Sequence, residues 1–182
     1  LATLGAEYPI GTERTAAAVE VRFEPSEQPG TIAVSAPGEE GAAHVSYHTV
    51  AQACRGVGLL LGLEAGQALS VEDQAAFETL GLMLDCSRNA VMRVAHVKKW
   101  LRRMALSGLD MLMLYTEDTY QLPDEPMFGY GRGPYTLKEV QAIDAYAADL
   151  GITVIPCIQA LGHLEQILKW RGAYGAVRDT SS

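Results

Sequence analysis

Leu80-Gly-Leu-Met-Leu-Asp-Cys-Ser-Arg88, Leu109-Asp-Met-Leu-Met-Leu-Tyr-Thr-Glu-Asp118 and Ile152-Thr-Val-Ile-Pro-Cys-Ile-Gln-Ala-Leu-Gly-His163 share one plan: a short apolar run that breaks off into polar side chains. Runs of this length, rich in large apolar residues, suit strands covered on both faces, at Leu80–Leu84, Leu109–Tyr115 and Ile152–Ile158. Between them the period changes to that of a helix. Val97, Trp100, Leu101 and Met104 mark a helix over His96–Leu106, stopped by Gly108. Val140, Ile143, Ala147 and Leu150 mark another over Leu137–Leu150, closed by Gly151, and a last helix fits Gly162–Trp170. Strand and helix alternating in this way predict a parallel α/β sheet with right-handed crossovers.

Upstream the style differs. Residues 18–24 alternate apolar and charged side chains, Thr31–Ser35 and Ala43–Tyr47 read as two further strands, and the short links between them suit antiparallel pairing. From Thr49 onward Val50, Ala53, Cys54, Val57, Leu60 and Leu61 fall at helical spacing. The expected organisation is therefore a small α+β domain over residues 1–76 and an α/β domain over 77–182. Gly56-Val-Gly58 lies inside the helical pattern, with no strand before it and the wrong spacing for a dinucleotide loop, so tight packing of the helix is the better reading.

Composition narrows the function. With 182 residues, 48% of them apolar and 20% charged, the chain is globular. Its net charge of -8 argues against a polyanionic partner such as nucleic acid. No apolar stretch approaches the roughly 20 residues of a membrane span. Cys54, Cys86 and Cys157 are widely spaced and odd in number, which predicts free thiols and favours the cytoplasm over secretion. The chain starts at Leu1 and not at a methionine, so an earlier start of the gene product is expected.

In parallel α/β folds, reactive groups collect at the carboxyl ends of the strands. Arg88, Glu117, Asp118 and His163 stand at three such ends and are the candidate site. A planar guanidinium, carboxylates and an imidazole are groups that recognise a neutral, hydroxyl-rich ligand. His96, His163, Glu165 and Cys157 lack metal-ligand spacing, so neither a metal nor a cofactor is expected. Ser87 has no nucleophile-elbow context, and Asp124-Glu125, between Pro123 and Pro126, reads as a solvated loop.

The three strand ends, with Tyr135-Thr-Leu-Lys-Glu-Val-Gln-Ala-Ile-Asp-Ala-Tyr-Ala-Ala-Asp-Leu-Gly-Ile-Thr-Val-Ile-Pro156 and Gly162-His163, resemble the opening of the catalytic barrel of glycoside hydrolase family 20, the β-N-acetylhexosaminidases. Residues 1–76 resemble, by element order, the small domain preceding that barrel. The resemblance implies a (β/α)8 TIM barrel of which residues 77–182 form the first three βα units. It also implies hydrolysis, with retention, of terminal non-reducing N-acetylglucosamine or N-acetylgalactosamine by substrate-assisted catalysis, in which the sugar's own acetamido group replaces an enzyme nucleophile. Arg88 would bind ring hydroxyls of that sugar, and Glu117, Asp118 and His163 would form a relay supporting the catalytic acid. Leu161 replaces the family's proline before Gly-His, and Gln159 stands near a position often acidic.

The family's catalytic Asp-Glu pair follows the fourth barrel strand, so no catalytic residue is expected in this chain, which reads as an inactive fragment inclined to self-associate through its incomplete barrel. The alternative is a non-catalytic carbohydrate-binding or scaffold α/β protein.

Overall fold

The computed structural model of the chain describes residues 2–8, 19–38, 41–88 and 90–177. After a one-turn helix α1 (Ala2–Gly5), β1 (Val21–Pro25), β2 (Thr31–Ala36), β3 (Ala43–Tyr47) and β4 (Leu69–Gln74) make the first sheet, with α2 (Val50–Leu61) inserted before β4. Ala18, where the first strand was expected to begin, lies outside the described residues. The sheet order is β1-β3-β2-β4. Antiparallel pairing holds for β2 with β3 and with β4, but β1 lies parallel to β3, Val21 opposite Ala43. The all-antiparallel expectation fails because β3 sits between β1 and β2. Ala43 and Val45 of β3 are fully buried, and a central place in the sheet is where its apolar side chains are best covered. Strand β4 is one edge of the sheet among the described residues. Its Glu72, Asp73 and Gln74 are exposed, the charged dressing that protects an edge and that hides a strand from a periodicity argument.

Helix α2 opens with a capping box: the Thr49 hydroxyl accepts from the Gln52 N–H, and the Gln52 side chain accepts from the Thr49 N–H. Its two glycines are contact points. A Cβ on Gly56 would stand 2.4 Å from Val45 Cγ1 in the first sheet, and one on Gly58 would stand 2.0 Å from the carbonyl oxygen of Leu106 in the next helix. Tight packing is thus what these glycines serve, and α2 is wedged between both halves of the molecule.

The second sheet is β5 (Gly81–Asp85), β6 (Met111–Tyr115) and β7 (Thr153–Cys157), all parallel, in the order β5-β6-β7. Helices α3 (Val94–Leu106) and α4 (Leu137–Ala148) follow the first two strands. Leu112 and Leu114 of β6 are buried in one core with Val97, Leu101 and Met104 of α3 and Ile143 and Ala147 of α4. Leu4 of α1 and Cys54 and Val57 of α2 belong to that same core.

Alternation puts Met83, Met113 and Ile155, neighbours in register, on the opposite face. This face is open: Met83 is 59% and Ile155 40% exposed. The expected covering of β5 on both faces is therefore not found, because α3 and α4 both pack on the other side. The last predicted helix is also corrected. Only α5 (Glu165–Leu168) forms, followed by the short α6 (Arg171–Tyr174), because the backbone of Trp170 (φ -82°, ψ 76°) leaves the helical region between them. Cys54 and Cys86 are buried and Cys157 half-buried, all as free thiols. Among the described residues no helix is long and apolar enough to cross a membrane.

Candidate functional site

The three parallel strands end side by side, with Asp85, Tyr115 and Cys157 in register, so the segments that follow them meet on one rim. The first turn is organised by Asp85. Its Oδ1 accepts from the Ser87 hydroxyl (2.7 Å) and N–H (2.9 Å) and from the Arg88 N–H (3.3 Å), while Oδ2 accepts from Arg88 Nη1 at 2.7 Å. Desolvation raises the Asp85 carboxyl, but the Arg88 and Ser87 hydrogen bonds together outweigh it and bring the carboxyl down to about 2. The same Asp85 hydrogen bond, with the neighbouring Tyr115, raises Arg88 above the usual guanidinium value. Arg88 is a fixed cation lying over the Tyr115 ring, 5.1 Å from its centroid.

Three groups from three strand ends converge on one oxygen, Glu117 Oε1. The Tyr115 hydroxyl donates to it at 2.9 Å, Arg88 Nη2 lies 3.5 Å away and His163 Nδ1 3.6 Å away. Glu117 and His163 both hold positive φ, +50° and +56°, a conformation uncommon outside glycine that turns both residues abruptly at the strand ends. Glu117 is buried, whereas the side chains of Arg88 and His163 are 53% and 58% exposed. The cluster is anchored beneath and open above.

Asp118, 2% exposed, takes a different partner. Its Oδ1 lies 3.2 Å from Arg132 Nη2, close enough for an ion pair but without hydrogen-bond alignment. The same Nη2 donates to the Ser87 carbonyl. Arg132 reaches this position because the loop from Thr116 to Thr136 doubles back: Tyr120 bridges to Tyr135, and Gly129 at φ +69° passes so near Asp118 that a Cβ would stand 2.4 Å from its carbonyl oxygen.

Of the residues singled out in the sequence, Arg88, Glu117 and His163 are thus brought together, and Asp118 adjoins them but faces Arg132. Asp124-Glu125 stays apart, exposed, with Glu125 accepting from the Tyr174 hydroxyl at 3.0 Å. Sequence reasoning missed Tyr115 and Arg132. The available signals were an aromatic at the end of an apolar strand and a lone charge in Gly129-Tyr-Gly-Arg-Gly133. Among the described residues no three His, Cys, Asp or Glu side chains are grouped to hold a metal ion.

No family model and no curated protein matches the chain. Solved structures do. A glycoside hydrolase family 20 exo-β-N-acetylglucosaminidase from Vibrio harveyi, in complex with N-acetylglucosamine, superposes with a TM-score of 0.73 at 20% identity over 89% of this chain and 30% of its own. A family 20 β-N-acetylglucosaminidase gives 0.72 at 28% identity over 89% of this chain and 37% of its own. A β-N-acetylhexosaminidase from Bacteroides fragilis gives 0.70 at 20% identity over 87% and 36%. The chain spans about a third of the length of these proteins. Over nearly nine-tenths of its own length it has the fold of the glycoside hydrolase family 20 β-N-acetylhexosaminidases.

Proposed function

We propose that this chain supplies part of the sugar-binding site of a family 20 β-N-acetylhexosaminidase, acting on a glycan that ends in N-acetylglucosamine or N-acetylgalactosamine. In this reading residues 1–76 are the accessory α+β unit and residues 77–182 the first three βα units of a TIM barrel. The observation that carries the proposal is Arg88: tethered by Asp85 and Glu117 and seated on Tyr115, yet half exposed on the rim where parallel strands end. A guanidinium has five donors, and these two acids occupy only part of them, which leaves donors for the hydroxyls of a terminal sugar. The open sheet face supports the barrel reading, since parallel sheets are ordinarily covered on both sides and further strands would enclose Met83, Met113 and Ile155. The same face and the outer edges of β5 and β7 would favour self-association of the chain by itself.

Arg88 would hold the ring hydroxyls. Glu117 and His163, with Asp118 beside them, would set the orientation and proton affinity of the catalytic acid from behind. The sugar's acetamido oxygen would attack the anomeric carbon, giving retention without an enzyme nucleophile. The acid that protonates the leaving oxygen and the acid that orients the acetamido group would follow a fourth strand, so these 182 residues alone should not turn over a chromogenic N-acetylglucosaminide. Turnover that disappeared in Glu117→Gln would overturn that expectation.

A chimera tests the site directly. Replacing the matched opening part of the 28%-identical β-N-acetylglucosaminidase by this chain should give an active enzyme, and Arg88→Ala should lower its kcat/KM by about a hundredfold or more. A folded chimera whose kcat/KM is indifferent to Arg88→Ala would remove Arg88 from the sugar site.

A further inference from the structure

We propose that Arg132 is a positioning residue for Arg88: from the loop after β6 it fixes the turn after β5, and so sets the orientation of the guanidinium on the rim. The consequence for a sugar rests on the site reading above; the positioning itself does not. A continuous chain of contacts links the two arginines. Gly129 allows the loop to pass over the backbone of Asp118, and the Arg132 N–H donates back to the Gly129 carbonyl at 3.0 Å, closing a turn that aims the side chain inward. Arg132 Nη2 then meets two groups at once, the buried Asp118 carboxylate and the Ser87 carbonyl. Ser87 in turn gives its hydroxyl and N–H to Asp85 Oδ1, and Asp85 Oδ2 holds Arg88 Nη1.

Each link has a physical reason to be rigid. A carboxylate as buried as Asp118 needs an opposite charge, and Arg132 stands beside its Oδ1, the one buried side-chain oxygen among the described residues without a hydrogen bond. That demand anchors Arg132, and Arg132 then fixes the Ser87 carbonyl. Between that carbonyl and the Asp85 carboxylate, the turn has little freedom to rotate. Arg88 is therefore held from three sides, by Asp85, Glu117 and the Tyr115 ring, only while the turn stays in register.

The two arginines use their chemistry differently, and this makes the inference testable. Arg88 spends separate nitrogens on Asp85 and Glu117 and lays its plane on a ring, so a lysine cannot replace it. Arg132 makes both contacts with one nitrogen, so a point charge with several donors should serve.

The experiment reads the side-chain 15N–1H signals of Arg88 in the 182-residue chain without sugar, assigned by their loss in Arg88→Lys. Held between two acids, the two Nη groups should give separate signals. Arg132→Gln should merge them, and Arg132→Lys should keep them apart. Separate signals in folded Arg132→Gln, or merged signals in folded Arg132→Lys, would overturn the proposal. If Arg132→Gln does not fold, Asp118→Asn decides: merging supports the proposal, and unchanged signals overturn it. In the chimera, Arg132→Gln should lower kcat/KM at least tenfold in the presence of Arg88 and have no further effect in an Arg88→Ala background, whereas additive losses would count against positioning. An inactive wild-type chimera would sink the sugar reading, while the NMR signals would still decide whether Arg132 positions Arg88.

Discussion

The two sheets of this molecule are built from strands of similar length and differ in what they do with strand ends. In β1-β3-β2-β4 the central β2 runs against both neighbours, so polar residues leaving those strands are scattered to opposite edges. In β5-β6-β7 every strand runs the same way, and Arg88, Glu117 and His163 arrive on one rim although 29 to 46 positions separate successive members. Parallel topology collects chemistry, and it also demands cover on both faces. The first sheet packs a small cluster of Ile32, Val34 and Val45 against α2, whereas the second carries the larger core on one side and a bare face on the other. The lesson is that the site and the open face have one cause, the parallel arrangement itself.

Core deletions in each sheet read whether the two are energetically separate. Leu101→Ala empties a fully buried position in the larger core and should cost about 2–5 kcal/mol. Val45→Ala removes two buried carbons from the smaller cluster and should cost about 2 kcal/mol. Because α2 contributes Cys54 and Val57 to the larger core and lies with Gly56 against Val45, both variants should shift one cooperative denaturant transition. Two transitions, each responding to one variant, would show that the sheets fold independently.

The glycines of α2 report on the same coupling through smaller changes. Alanine gains up to about 1 kcal/mol over glycine inside a helix, so any net loss measures crowding. Gly58→Ala meets a backbone carbonyl of α3 that cannot step aside, and a net destabilisation of about 1–3 kcal/mol is expected. Gly56→Ala meets the side chain of Val45, which is fully buried and stiff about χ1, and should also be destabilising, though by less, because a side chain and not a backbone must shift. The reverse order in thermal unfolding would mean that α2 is fitted to the first sheet and not to the second half.

What the sequence made legible follows the same division. The second sheet was readable as parallel because Leu82-Met-Leu84, Met111-Leu-Met-Leu114 and Val154-Ile155 are local apolar signals separated by periodic helices, which call for crossover connections. The first sheet was readable as strands but not as a topology. The insertion of β3 between β1 and β2 is decided by burial of Ala43 and Val45, a property of the assembled sheet. Strand β4 was missed because its Glu72-Asp-Gln74 carries the charges of an edge. In the site, the residues at strand ends could be picked out, whereas Arg132 could not. Its position depends on a loop folding back over Asp118 through Gly129, which no local spacing encodes.

A pH-dependent change in stability is specific to the rim. The Asp85 carboxyl, at about 2 in the folded chain, lies below its ordinary value of 3.8, so the folded state binds the proton less readily than the unfolded chain. Its contribution to stability is therefore present above about pH 4 and is lost as the pH falls through about 2. Solvent screening keeps it modest, since the side chain is about a third exposed. Asp85→Asn should then be less stable than the parent at pH 6, and the gap should close on acidification toward pH 2. A gap of the same size at pH 6 and at pH 2 would mean that Asp85 is an ordinary surface acid, and the rim would lose the anchor on which the orientation of Arg88 depends.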